Sequence, residues 1–79
     1  MELGDKCYIN GVSSVDSLLL FKNLQSKYPT LICPCHIPNT QLLEIIAFIG
    51  KTSAIIRYVD DTTKVSVIKL NDLRVPKLG

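Results

Sequence analysis

The chain has no long apolar run. Its longest, Ile45 to Ile49, follows Glu44 and stops at Gly50. A bilayer span needs about 20 apolar residues, so no membrane partner is expected. Aromatic residues make up only 6% of the sequence, and tryptophan is absent. Without aromatic side chains interleaved with basic ones there is no stacking platform for nucleic acid, and a nucleic-acid partner is not expected. Met1-Glu2-Leu3-Gly4-Asp5 has no basic segment leading into an apolar one, so no signal peptide is read there. Cysteines number three, an odd count too small for a disulfide framework, which points to free thiols in a reducing, cytoplasmic setting. Repeats and low-complexity segments are missing. Gly50-Lys51-Thr52 resembles the end of a phosphate-binding loop, but Ile45 stands where the first glycine is required. No nest of backbone N–H groups can then cradle a phosphate. The segment reads as a helix C-cap and turn, and no cofactor is expected.

The sequence has 79 residues, 47% of them hydrophobic and 20% charged, with a net charge of +2. That composition is globular, and the length fits a single domain over 1–79. The ordered core is expected over about 5–72, with a tail over 74–79. A chain this short buries only about 60–65% of its unfolded surface, so its stability margin is thin. Residues 1–50 carry three lysines against four acids, net −1, and residues 51–79 carry six basic residues against three aspartates, net +3. The basic third could favour an acidic or phosphate-bearing partner. The simpler reading is a solvated strand edge whose lysines block edge-to-edge aggregation.

Turn signals divide the chain into six short elements. Lys6-Cys7-Tyr8-Ile9 predicts a first strand, closed by Asn10-Gly11. A helix follows over about Ser14 to Lys27. Val15, Leu18, Leu19 and Lys22 trace one row and Leu20, Phe21 and Leu24 another, which makes a wide apolar arc. Ser13 with Asp16 three residues later resembles a capping arrangement. Lys27 suits the negative end of the helix dipole, and Pro29 forces a stop. Thr30-Leu31-Ile32-Cys33 reads as a short buried strand limited by Pro34.

Asn39 is a competent N-cap for a second helix, with Leu42, Ile45, Ile46 and Ile49 at i, i+3, i+4, i+7 and Gly50 at the C′ position. The rival reading of this stretch is a strand, because isoleucine and phenylalanine favour strands. Alternation is poor, since Leu42, Ile46 and Phe48 would share a face with Glu44, so the helix is preferred and the architecture turns on it. Ser53 to Val59 and Lys64 to Leu70 form a hairpin around Asp60-Asp61-Thr62. Asn71-Asp72 ends it. The expected fold is α/β, a two-layer sandwich in the order β-α-β-α-β-β, with a four-stranded mixed sheet and two helices on one face.

Cys33-Pro34-Cys35-His36 is the densest reactive cluster. With Cys7 it offers three thiols and an imidazole, a weak candidate zinc set, although two cysteines one residue apart depart from the usual Cys-x₂-Cys knuckle. Such a pair could also form a redox disulfide or relay sulfur. The plain reading is a buried Cys33 acting as a small hydrophobe, with Cys35 and His36 in a surface loop. His36, the only histidine, could lower a neighbouring thiol's pKa, but spacing alone assembles no catalytic triad.

The element order, over roughly Lys6 to Leu70, resembles the TusA/SirA-like small sulfur carriers. In that family a glycine follows the first strand, and three residues later comes the active cysteine of a Cys-Pro-x-Pro motif capping the first helix. Gly11 fits the glycine. The cysteine position falls on Ser14, and the rest of the motif falls on Val15, Asp16 and Ser17. The helix Leu18–Leu24 and the Ile37-Pro38-Asn39-Thr40 approach to the second helix also resemble the family. Serine cannot hold a persulfide, so the resemblance implies a relay that is lost or moved. If the first two strands were a parallel pair, Cys35 could approach Ser14.

Three functions follow. The leading one is a noncatalytic protein-binding or regulatory module of this family, with an open sheet face or the basic hairpin as its docking surface and a homodimer as one form. The second is thiol-based sulfur transfer using Cys33 and Cys35. The third applies if Leu42–Ile49 is a strand: an SH3-like (Tudor- or KOW-like) barrel, whose aromatic cage would draw on Tyr8, Phe48 and Tyr58.

Overall fold

Extended backbone wins the middle of the chain. In the computed structural model, which describes residues 1–11 and 14–76, the stretch read as a second helix is a strand. The elements are β1 (Lys6–Ile9), α1 (Val15–Gln25), β2 (Leu43–Ile49), β3 (Ser53–Tyr58), β4 (Val65–Lys69) and β5 (Leu73–Arg74). Short 3₁₀ turns occupy Pro34–His36 and Leu70–Asp72. The strands make one sheet in the order β4-β3-β2-β1-β5, every neighbouring pair antiparallel.

This overturns the expected sandwich of four mixed strands and two helices, and the physical reason lies in β2. Ile45, Ile46 and Ile49 are β-branched and lose side-chain freedom in a helix. They repeat at helical spacing only because the strand is bulged. Ile45 pairs with Ile56 and Ala47 with Ile55, so the register shifts by one residue between them. The extra residue, Ile46, breaks the alternation that would have announced a strand. Asn39 caps no helix. It lies in a turn closed by Gln41 N–H donating to the Pro38 carbonyl at 3.0 Å. Gly50, expected to end that helix, sits at φ +60 in the β2–β3 connection, where a side chain would be strained.

The segment Thr30–Cys33 is not a full strand either. It forms a single parallel bridge, Ile32 with Ser66 of β4. Pro34 has no N–H to extend the ladder and opens a 3₁₀ turn instead. The strand–helix–strand–helix pattern that carries the TusA/SirA resemblance therefore stops after α1. The parallel pairing that would bring Cys35 toward Ser14 is replaced by pairing with β4.

The helix expected over Ser14 to Lys27 is present, slightly shorter. Ser14 is its N-cap, accepting from Ser17 N–H at 3.3 Å. The alternative cap, Ser13, lies outside the described residues. Half of the apolar arc faces outward: Val15 is 69% and Leu19 53% exposed, whereas Ser17 and Phe21 are buried. Arg74, read as the start of a tail, pairs with Tyr8 in β5, and residues 77–79 lie outside the described part.

One face of the sheet holds the core: Cys7, Ile9, Leu43, Ile45, Ala54, Ile56, Ile68 and Leu73, with Ile37 inserted from the long β1–β2 connection. The opposite face carries α1 against β4 and, further along, the ion-paired residues Lys6, Glu44 and Arg57. Among the described residues no helix is long and apolar enough to cross a membrane.

Candidate functional site

The first node is Asp72, only 9% exposed. Its Oδ2 accepts from Ser14 N–H at 2.9 Å, Ser14 Oγ at 2.7 Å and Ser17 Oγ at 2.5 Å. Ser17 Oγ in turn accepts from Lys69 N–H at 2.9 Å, and the Asp72 carbonyl accepts from Asn10 N–H at 2.7 Å. Asp72 thus joins the start of α1 to β4 through its carboxylate and Ser17, and to the end of β1 through its backbone carbonyl. Burial acts to raise its pKa, but the hydrogen bonds from Ser17 and Ser14 prevail and hold it below the usual aspartate value. A cleft of about 410 Å³ opens beside it, lined by Asp16, Lys51, Thr52 and Lys69. The positive pole of α1 faces no vacancy there, because Asp72 supplies the anion. Ser14, at the sulfur carriers' cysteine position, is occupied as a cap: its Oγ donates to Asp72 and accepts from Ser17.

The cysteines separate into two environments. Cys7 is fully buried in the core. Burial first, and then the charge of Asp5, push its thiol up to about 11, which makes it a poor nucleophile. Cys33 and Cys35 lie together at the Pro34–His36 turn, their Sγ atoms 2.8 Å apart, with Cys35 exposed. His36 is exposed beside them. Among the described residues no three His, Cys, Asp or Glu side chains converge where they could hold a metal ion. The set Cys7, Cys33, Cys35 and His36 is therefore not brought together.

The aromatic trio is not brought together either. Tyr58 pairs with Leu43, which pairs with Cys7, so Tyr58 shares the core face, and Tyr8, next to Cys7, points the other way. Arg74 lies 4.7 Å from the Tyr8 ring centre and Lys64 5.4 Å from that of Tyr58, so each ring already carries a cation of the chain itself. Phe48 is 39% exposed near the far end of β2.

Another open concavity is apolar. Leu24 near the end of α1 and Tyr28 and Leu31 beyond it face Ile49, Ile55 and Val65 across a groove of about 400 Å³. Arg57 stands at its margin, directly opposite Val65 in the β3–β4 ladder. Arg57 Nη2 donates to Glu44 at 2.7 Å, and Lys6 Nζ donates to the other Glu44 oxygen at 3.0 Å. These two partners, Arg57 first, hold the Glu44 carboxyl below its usual value. Two cations on one carboxylate leave an excess positive charge. Among the described residues the buried Arg57 Nε has no hydrogen-bond partner.

The roles of Asp72, Ser17 and Arg57, and the groove itself, escaped sequence reasoning. Asp72 registers locally only as the turn that ends the hairpin, and its partners lie 55 and 58 residues away. Compared with known proteins, the chain matches no family model, no curated protein and no solved structure.

Proposed function

We propose that this chain is a noncatalytic protein-binding module whose groove between α1 and the β2–β4 face takes a large apolar side chain of a partner. A carboxylate next to that side chain would meet Arg57. The observation that carries the reading is this apolar groove with the partly exposed guanidinium of Arg57 beside it, paired across the ladder with the groove residue Val65. Apolar burial supplies affinity, and the charged donor fixes orientation.

The strand order supports the same class. An antiparallel β2-β3-β4 meander, a β1 that pairs with both β2 and β5, and a 3₁₀ turn ahead of β5 resemble SH3-like barrels, here with α1 inserted in the long first connection. A sulfur-carrying role in the TusA/SirA manner would need a free nucleophile at the α1 N-terminus, and Ser14 is committed to Asp72 and Ser17.

Selection of random peptides on the immobilised domain tests the proposal. The expected consensus is a leucine-, isoleucine- or phenylalanine-like residue beside aspartate or glutamate. Tyr28→Asp places a charge on the groove rim at a half-exposed site, and Arg57→Gln removes the cation. Each is expected to weaken selected peptides about tenfold or more while the thermal melt stays cooperative. A basic or featureless consensus, or affinity indifferent to both changes, contradicts the reading. Sedimentation of the free domain separates a second outcome, in which another copy of the chain occupies the groove.

A further inference from the structure

We infer that Cys33 and Cys35 form a thiol–disulfide exchange site, closing reversibly into an intrachain disulfide when a low-molecular-weight or protein disulfide supplies the oxidising equivalent. The inference rests on how the turn is held. On one side, Ile32 N–H donates to the Val65 carbonyl at 2.9 Å, and Ser66 Oγ donates to the Ile32 carbonyl at 2.5 Å. On the other, Ile37 is 5% exposed within the core cluster. Between these anchors Pro34 is buried, and His36 N–H donates to the Cys33 carbonyl at 2.9 Å. The backbone between the two cysteines is therefore pinned at both ends, and the sulfurs already face each other at 2.8 Å. The turn itself brings the two sulfurs together, so no distant segments have to be moved to close the ring.

Exposure assigns the order of events. Cys35 is exposed and Cys33 half-buried. The Cys35 thiolate attacks one sulfur of glutathione disulfide, forming a mixed disulfide and expelling one glutathione thiolate. The Cys33 thiolate then attacks the Cys35 sulfur, forming the Cys33–Cys35 bond and expelling the second glutathione thiolate. The protein loses two electrons and two protons, and the glutathione disulfide is reduced to two thiols. The hydrogen bond to Cys33, then desolvation and the charge of Cys33, raise the Cys35 thiol above its ordinary value, so exchange accelerates as pH rises. Cys7 takes no part, because it is sealed in the core.

Incubation of the native protein with glutathione disulfide, followed by alkylation and mass spectrometry, tests the inference. The wild-type chain is expected to lose two hydrogens within the peptide containing Cys33 and Cys35 and to retain no glutathione. Dithiothreitol should reverse the change. Cys33→Ser should retain one glutathione on Cys35, because the resolving thiol is gone. Cys35→Ser should react far more slowly, leaving Cys33 alkylatable. The inference is overturned if the wild type keeps a stable glutathione adduct, cross-links to a second chain, or remains a dithiol throughout. None of these readouts involves the groove, so failure here leaves the binding proposal standing, and the converse holds.

Discussion

Replacing Asp72 by alanine is expected to destabilise the domain by about 3 kcal/mol. Hydrogen bonds to a charged acceptor contribute roughly 1.5–3 kcal/mol each, and a buried donor left without a partner costs about 1–3 kcal/mol. The substitution strands Ser17 Oγ, which is fully buried, and removes the acceptor for both donors of Ser14. A chain of this length has roughly 4–12 kcal/mol in total, so the loss is a large share. Urea denaturation at neutral pH measures it. Asp72→Asn keeps one acceptor oxygen and should lose less.

The pH dependence follows from the same carboxylate. Its folded pKa lies below the ordinary 3.8. The stabilisation is therefore complete above the unfolded value and disappears as pH falls through the folded one. The wild type should lose stability steeply below about pH 4, and Asp72→Asn should show a flatter acid limb. Parallel acid limbs in the two proteins would mean that Asp72 is not the group responsible.

Ile56→Ala is the second large effect, expected at about 3 kcal/mol within the usual 2–5 kcal/mol for deleting a buried isoleucine side chain to alanine. Ile56 is fully buried on β3 between Ile45 of β2 and Ser66 of β4. The cavity would open in the middle of the sheet, where both neighbours are fixed by ladders. Val15→Ala, at a position 69% exposed on α1, should change stability by less than about 0.5 kcal/mol. Equal effects at the two positions would mean that the core lies elsewhere.

Much of this fold is legible in local signals. The first strand, the first helix and the hairpin around Asp60-Asp61 are each present, the helix ending at Gln25, ahead of Pro29. The failure at Leu43–Ile49 has one physical source. The bulge at Ile46 turns a two-residue repeat into one that mimics a helix, and it hides the pairing with β3, which begins only four residues after the end of β2, at Ser53. Thr30–Cys33 fails differently, because an apolar tetrapeptide does not say whether it pairs along its length or at a single bridge. The site is less legible than the fold. Only the Cys33–Cys35 pair stands out by proximity in sequence. The Asp72 node and the Arg57 rim are built from residues far apart in the chain, and they exist only once β1, α1 and the β3–β4 hairpin have come together.

Because the groove, the Arg57 margin and the core all depend on β2 being extended, cross-strand nuclear Overhauser contacts are the most direct test. The account predicts contacts of Leu43 with Tyr58, Ile45 with Ile56 and Phe48 with Ala54, together with slow amide exchange along Leu43–Ile49. Sequential helical contacts from Asn39 to Ile49, with no cross-strand contacts to β3, would contradict it.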